Sequence, residues 1–115
     1  MKKEDSLELV ALIKAALEDK KIEDIKVLDI SGVSIMADYF IIGSGSNRNQ
    51  IQAAIDNVDE KTHEINVYAK QIEGYDTANW VLVDFGDVIL HVFDNENRLF
   101  YDLERIWADG KEVAL

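Results

Sequence analysis

Four groups of residues in this sequence have types and spacings that could do chemistry. Gly43-Ser44-Gly45 runs into Ser46 and Asn47 between an apolar run and a polar, helix-forming stretch. Such a turn can offer free amides to a phosphate at a helix N-terminus. The dinucleotide fingerprint, however, would place a glycine at position 48, where Arg48 stands, and the P-loop lysine is missing. A plain turn feeding a capped helix is the stronger reading. Strand, Gly-Ser and helix followed by acids is also the layout of a nucleotidyltransferase, which holds divalent metals between two acids on one strand face. Here Asp84 and Asp87 flank a turn and Asp94 lies one strand further on. Asp84-Phe85-Gly86 matches a kinase tripeptide with no catalytic loop or strand lysine beside it. His63 falls near the end of a helical stretch, and His91 has no serine or cysteine partner that spacing can place beside it. Two histidines and no cysteine make a zinc site a poor expectation.

The elements that carry these groups follow from periodicity. Leu9, Ile13, Ala16 and Leu17 share one face at helical spacing, with Asp5 or Ser6 as cap and Lys20 and Lys21 closing the last turn. Ile25–Ile30 and Tyr39–Ser44 read as strands, the second apolar on both faces as a central strand is. A long helix begins near Ser46 or Asn47, with Ile51, Ala54, Ile55, Val58 and Thr62 facing inward. A short strand is expected near Asn66–Ala69. NWVLVDFGDVILHVFD is strand, glycine-bearing turn, strand, which is a hairpin. RLFYDLERIW places Leu99, Leu103 and Ile106 at helical spacing, and DGKEVAL reads as a loose tail. Residues 1–115 thus form one domain. The fold class is α/β: a single mixed β-sheet packed by helices on one face.

Side chains alternate along a strand. If the turn is Phe85-Gly86, then Asp84 opposes Asp87, Leu82 opposes Ile89 and Trp80 opposes His91. One face is then Val81, Val83, Val88, Leu90 and Val92, which is core. The other is Trp80, Leu82, Asp84, Asp87, Ile89, His91 and Phe93. That face is too apolar for solvation alone and too charged for a closed core. Such a mixture is the composition of an interaction surface, with Trp80 as an anchor. The plainer alternative is that a helix covers it and the two aspartates cap the turn. Tyr39 could join this face from its own strand, with Asp38 at the strand's entrance.

Composition narrows the partner. The chain has 115 residues and a net charge of −11, from 23 acids against 12 bases. That balance argues against independent binding to nucleic acid, whose affinity comes from Lys and Arg on phosphates, and against anionic lipid. It favours a basic partner, although acidity also serves solubility alone. With no cysteine and no apolar run of membrane-spanning length, a cytoplasmic protein is expected.

Three stretches, ADYFIIGSGSNRNQIQAAID, WVLVDFGDVILHVFD and RLFYDLERIW, stand in this order. Together they resemble the ribosomal silencing factor family, also called Iojap-like, from the first helix to Trp107. The resemblance implies a fold similar to nucleotidyltransferases but without catalysis and without a cofactor. It implies docking on the large ribosomal subunit through ribosomal protein L-fourteen, a steric block to joining of the small subunit, and a homodimer when free. By position it assigns partner binding to Asp38, Tyr39, Trp80, Asp84, Asp87, His91, Tyr101, Asp102 and Glu104. Two departures stand out: Ala37 where serine is usual, and Ala78-Asn79 in place of a glycine-containing approach to the tryptophan. A nucleotide-binding enzyme is the alternative reading.

Overall fold

The computed structural model describes the backbone of residues 3–101 and 110–114. In chain order the elements are α1 (Lys3–Asp19), β1 (Glu23–Asp29), β2 (Tyr39–Gly45), α2 (Arg48–Glu64), β3 (Gln71–Glu73), β4 (Trp80–Asp84), β5 (Val88–Asp94), α3 (Asn95–Tyr101) and β6 (Lys111–Glu112). The six strands form one sheet in the order β3-β4-β5-β2-β1-β6. It is mixed: β2 and β5 run parallel at its centre, and the other pairs are antiparallel.

Helices α1 and α2 cover one face. Leu9, Val10, Ile13, Ala16 and Leu17 of α1 and Ile51, Ala54, Ile55 and Val58 of α2 are buried against Tyr39, Ile41, Val81, Val83, Val88, Leu90 and Val92. The inward stripes expected from helical spacing are the stripes observed. α2 starts after Asn47, whose side chain accepts from Gln50 N–H at 2.8 Å. α1 already includes Asp5 and Ser6, so neither caps it, and Lys20 and Lys21 lie just beyond its last turn.

Both helices close with the same device. Lys21 N–H donates to Glu18 O and Ile22 N–H to Leu17 O, with Lys21 at φ 65°. Asn66 N–H donates to His63 O and Val67 N–H to Thr62 O, with Asn66 at φ 59°. These are Schellman closures, and both put a residue other than glycine in the left-handed position. Because they extend the turns, the short strand expected near Asn66–Ala69 forms later, at Gln71–Glu73 on the sheet edge. The tail expected to be loose supplies β6, which pairs with β1 through Leu28↔Glu112 and Asp29↔Lys111. The C-terminal helix begins earlier than RLFY suggests, because Asp94 Oδ1 accepts from Asn97 N–H at 2.7 Å and starts α3. Leu103 and Ile106 lie outside the described residues.

The hairpin register differs from the expected one by two residues. The observed pairs are Asp84↔Ile89, Leu82↔His91 and Trp80↔Phe93. The turn is Gly86-Asp87, closed by Phe85 N–H donating to Val88 O at 2.9 Å. Gly86 takes φ 96°, as the first central residue of a type II′ turn must. The cause is Phe85. A turn at Phe85-Gly86 would expose its ring; one residue later, the ring is buried with the valine face. Asp84 therefore does not face Asp87. Since the shift is even, the residues that stay in the strands keep their faces, and Asp87 passes into the turn.

Candidate functional site

The sheet face opposite α1 and α2 carries a second, smaller cluster. Leu28, Ile30, Ala37, Phe40, Ile42 and Phe93 are buried in it, with Trp80 and Ile89 packed at its margin and partly open. Strand alternation and the parallel β2–β5 register put these residues in rows: Phe93 beside Ser44, His91 beside Ile42, Ile89 beside Phe40. Phe40 and Ile42, not Tyr39 and Ile41, thus share the face of Trp80. The expectation that Tyr39 joins that face is corrected: its side chain is buried among the α1 and α2 residues.

Aromatic groups order the open end. Trp80 stacks on Phe93 with ring centroids 5.1 Å apart, and its Nε1 donates to His91 Nδ1 at 3.0 Å. His91 meets Phe40 edge-on at 4.8 Å. Accepting at Nδ1 places the ring proton on Nε2, a buried atom that has no hydrogen-bond partner among the described residues. With His91 only 4% exposed, burial lowers its pKa from 6.5 to about 4. It is a neutral residue beneath the surface, and it fixes the indole instead of reaching outward itself.

The loop that delivers Trp80 is tied to α2. Tyr75 Oη donates to Asp56 Oδ1 at 2.8 Å, and Gln52 Nε2 donates to Tyr75 O at 2.9 Å. Ala78, one of the two departures, adopts φ 53°, a conformation glycine holds without strain. Its N–H donates to Gly74 O at 2.9 Å, and Asn79 O accepts from Asp94 N–H at 3.1 Å. The loop therefore closes without a glycine at position 78.

The acidic residues lie at the far end of the same strands. Asp84 Oδ1 accepts from Gly86 N–H at 2.7 Å, which braces the turn. Asp87 O accepts from the N–H of Asp38 and of Tyr39 at 2.8 and 3.1 Å, so Asp38 and Asp87 meet through backbone. All three carboxylates are half-buried. The structure brings Asp38, Asp84 and Asp87 together at one end and Trp80 and His91 together at the other. Asp102 and Glu104 lie outside the described residues, as does the side chain of Tyr101.

The glycine turn is closed by its own chain. A Cβ on Gly45 would lie 2.6 Å from Ile51 Cγ1, and one on Gly43 would lie 2.7 Å from Ile22 Cγ2. Amides at the turn are used within the chain: Ser46 N–H donates to Gln50 Oε1 at 2.7 Å, and Gln50 N–H to Asn47 Oδ1 at 2.8 Å. Gln50 Nε2 also donates to Lys20 O and Lys21 O, binding the start of α2 to the end of α1. These glycines serve close packing. Asp94 caps α3 away from Asp84, and no group of three His, Cys, Asp or Glu residues that could hold a metal occurs among the described residues.

Sequence reasoning missed two features. Phe40 and Ile42 belong to the Trp80 face, which alternation within β2 could not orient. The loop between β1 and β2 exposes Val33, Ile35 and Met36 to solvent. Its signal was present as VSIM between Gly32 and Ala37-Asp38.

A small mixed-sheet α/β domain, with α1 and α2 on one face and a partly open aromatic cluster on the other, is the class of protein that this fold and site define. The family model described as "Ribosomal silencing factor during starvation" matches residues 3–115. The chain belongs to that family. It is 42% identical over 102 residues to the ribosomal silencing factor of Bacillus subtilis, covering 89% of this chain and 86% of that protein. It is 34% identical over 109 residues to the chloroplastic protein Iojap of Zea mays, covering 92% of this chain and 46% of that one. A crystal structure of a protein from Chromobacterium violaceum superposes with a TM-score of 0.87 at 35% identity, covering 95% of this chain and 90% of that one.

Proposed function

We propose that this protein represses translation by docking on the large ribosomal subunit at ribosomal protein L-fourteen, where its bulk keeps the small subunit from joining. The observation that carries the reading is the partly open face of Trp80, Leu82, Ile89 and Asp84 on a chain of the silencing-factor family. The indole ring presents flat apolar area already fixed by His91 and Phe93. A hydrophobic centre with a charged rim is how protein interfaces are built, and tryptophan is enriched among their hot spots. Asp84 and Asp87 would meet Lys or Arg of a basic ribosomal protein, which suits a net charge of −11. Asp38 sits beside Asp87 and shares that role, and Tyr101, Asp102 and Glu104 would extend the rim. Tyr39 contributes from within the core and His91 through Trp80. No chemical step is required.

Co-sedimentation with isolated large subunits tests the docking. The wild-type chain should pellet with them, and Trp80→Ala should largely stay in solution. Equal pelleting of both, or none, overturns the reading. Adding small subunits to the complex should then yield no joined ribosomes. The homodimer implied for the free chain would bring two copies of charge −11 together, so it should strengthen as salt is raised. Sedimentation equilibrium across ionic strength reads this out.

A further inference from the structure

The loop between β1 and β2 is ordered, yet its largest side chains have no core. Ile30 N–H donates to Asp38 O at 2.8 Å and closes the neck, and the N–H of Val33 and of Ser34 return to Ile30 O at 3.0 and 2.8 Å. Asp29 Oδ1 accepts from Ser31 N–H at 3.0 Å and from its hydroxyl at 2.6 Å, and Ser34 Oγ accepts from Met36 N–H at 3.1 Å. The two feet, Ile30 and Ala37, are buried in the outer-face cluster. Between them the chain turns outward, leaving Ile35 and Met36 at 105% and 82% relative exposure. An apolar protrusion that hydrogen bonds already hold in place has little ordering entropy left to lose when a partner covers it.

Its surroundings select the partner. Asp38 and Tyr39 donate to Asp87 O, so the loop and the hairpin turn stand at one end of the sheet. The described charges there are Asp29, Asp38, Asp84 and Asp87, against Lys70 at Gly86 and Lys111 opposite Asp29. Acids therefore dominate around the protrusion, as they do over the whole chain. A second copy would bring the same acids to the contact, and an anionic membrane would repel them. We propose that Ile35 and Met36 form a docking knob that enters an apolar socket on a basic protein surface. This rests on the docking reading above and adds a second anchor at the end of the sheet remote from Trp80.

The test uses the full chain and isolated large ribosomal subunits, with two variants, Ile35→Ser with Met36→Ser and Ile35→Lys with Met36→Lys. Both positions lie in solvent, so urea unfolding should match the wild type. The serine pair should weaken co-sedimentation about tenfold, the loss expected when small apolar contacts go. The lysine pair should weaken it at least as much, because it sets cations against a basic surface. A serine pair that pellets like the wild type overturns the knob and leaves Trp80 docking standing, whereas a wild type that never pellets overturns both. Lysine-pair binding tighter than serine-pair binding overturns the basic partner. Wild-type binding to phosphatidylcholine vesicles, or self-association, that disappears in the serine pair would assign the knob to a lipid surface or a second copy and overturn the proposal.

Discussion

Trp80 Nε1 donates to His91 Nδ1 across the β4–β5 hairpin, at 3.0 Å. The residues sit on neighbouring rows of one face, since Trp80 pairs with Phe93 and Leu82 with His91. The indole N–H is therefore occupied inside the protein, and what Trp80 leaves partly open is ring surface.

That bond separates two variants. Trp80→Ala removes ring and bond together and should cost on the order of 2 kcal/mol or more in docking, as hot-spot truncations do. Trp80→Phe keeps a ring to stack on Phe93 but leaves Nδ1 without its donor, costing about 1 kcal/mol of folding stability and less docking than alanine does. Urea unfolding and co-sedimentation, run on both, distinguish packing from hydrogen bonding.

Stability should depend on pH through His91. Its pKa is lowered from 6.5 to about 4 by burial, so between those values the unfolded chain binds the proton that the folded chain refuses. The stability is complete above pH 6.5, falls as pH drops, and levels off below about 4, a loss on the order of 3 kcal/mol. Protonation would also turn Nδ1 from acceptor into donor and release Trp80. In His91→Phe, urea midpoints should lose this acid slope between pH 6.5 and about 4.

Gly74 guards the approach to Trp80. It takes φ 79°, and a Cβ there would stand 2.1 Å from Trp80 O, a backbone atom that cannot swing away. Gly74→Ala should lower stability by roughly 2 kcal/mol or more and displace the indole. Thermal unfolding together with tryptophan emission, in a Trp107→Phe background, reads both effects.

Lys21 presents the opposite case. It occupies the left-handed position of the α1 closure at φ 65° and is exposed, so its side chain contributes little to packing. Lys21→Gly should relieve strain and stabilise the chain by about 0.5 to 1 kcal/mol, net of the extra freedom glycine has when unfolded. A rise in the urea midpoint at unchanged slope is the expected result.

Much of this was legible from residue order. The inward residues of both helices and the valine side of the hairpin follow from the 3.6 and 2.0 periods and survive in the structure. The helix ends were less legible, because Lys21 and Asn66 do what glycine usually signals. Strand β6 was missed since Lys111-Glu112 has no alternation to read; β1 recruits it through backbone pairing. In the candidate site, the face that Trp80 shares with Asp84 was legible from alternation, but the burial of Tyr39 and His91 was not. An aromatic ring and an imidazole read alike whether they face water or a helix.

By itself, then, the sequence determined that Trp80 shares a strand face with Asp84 and His91, because alternation is a local property that an even register shift cannot alter. Three things were left to the tertiary structure. Burial of Phe85 set the turn at Gly86-Asp87 and placed Asp84 opposite Ile89. The packing of α1 and α2 over Tyr39 and Ile41 decided which side of β2 joined the valines. The hydrogen-bonded neck at Ile30 and Asp38 decided that Ile35 and Met36 stand in water. Each depends on how segments pack and bond in three dimensions, and no local period encodes that.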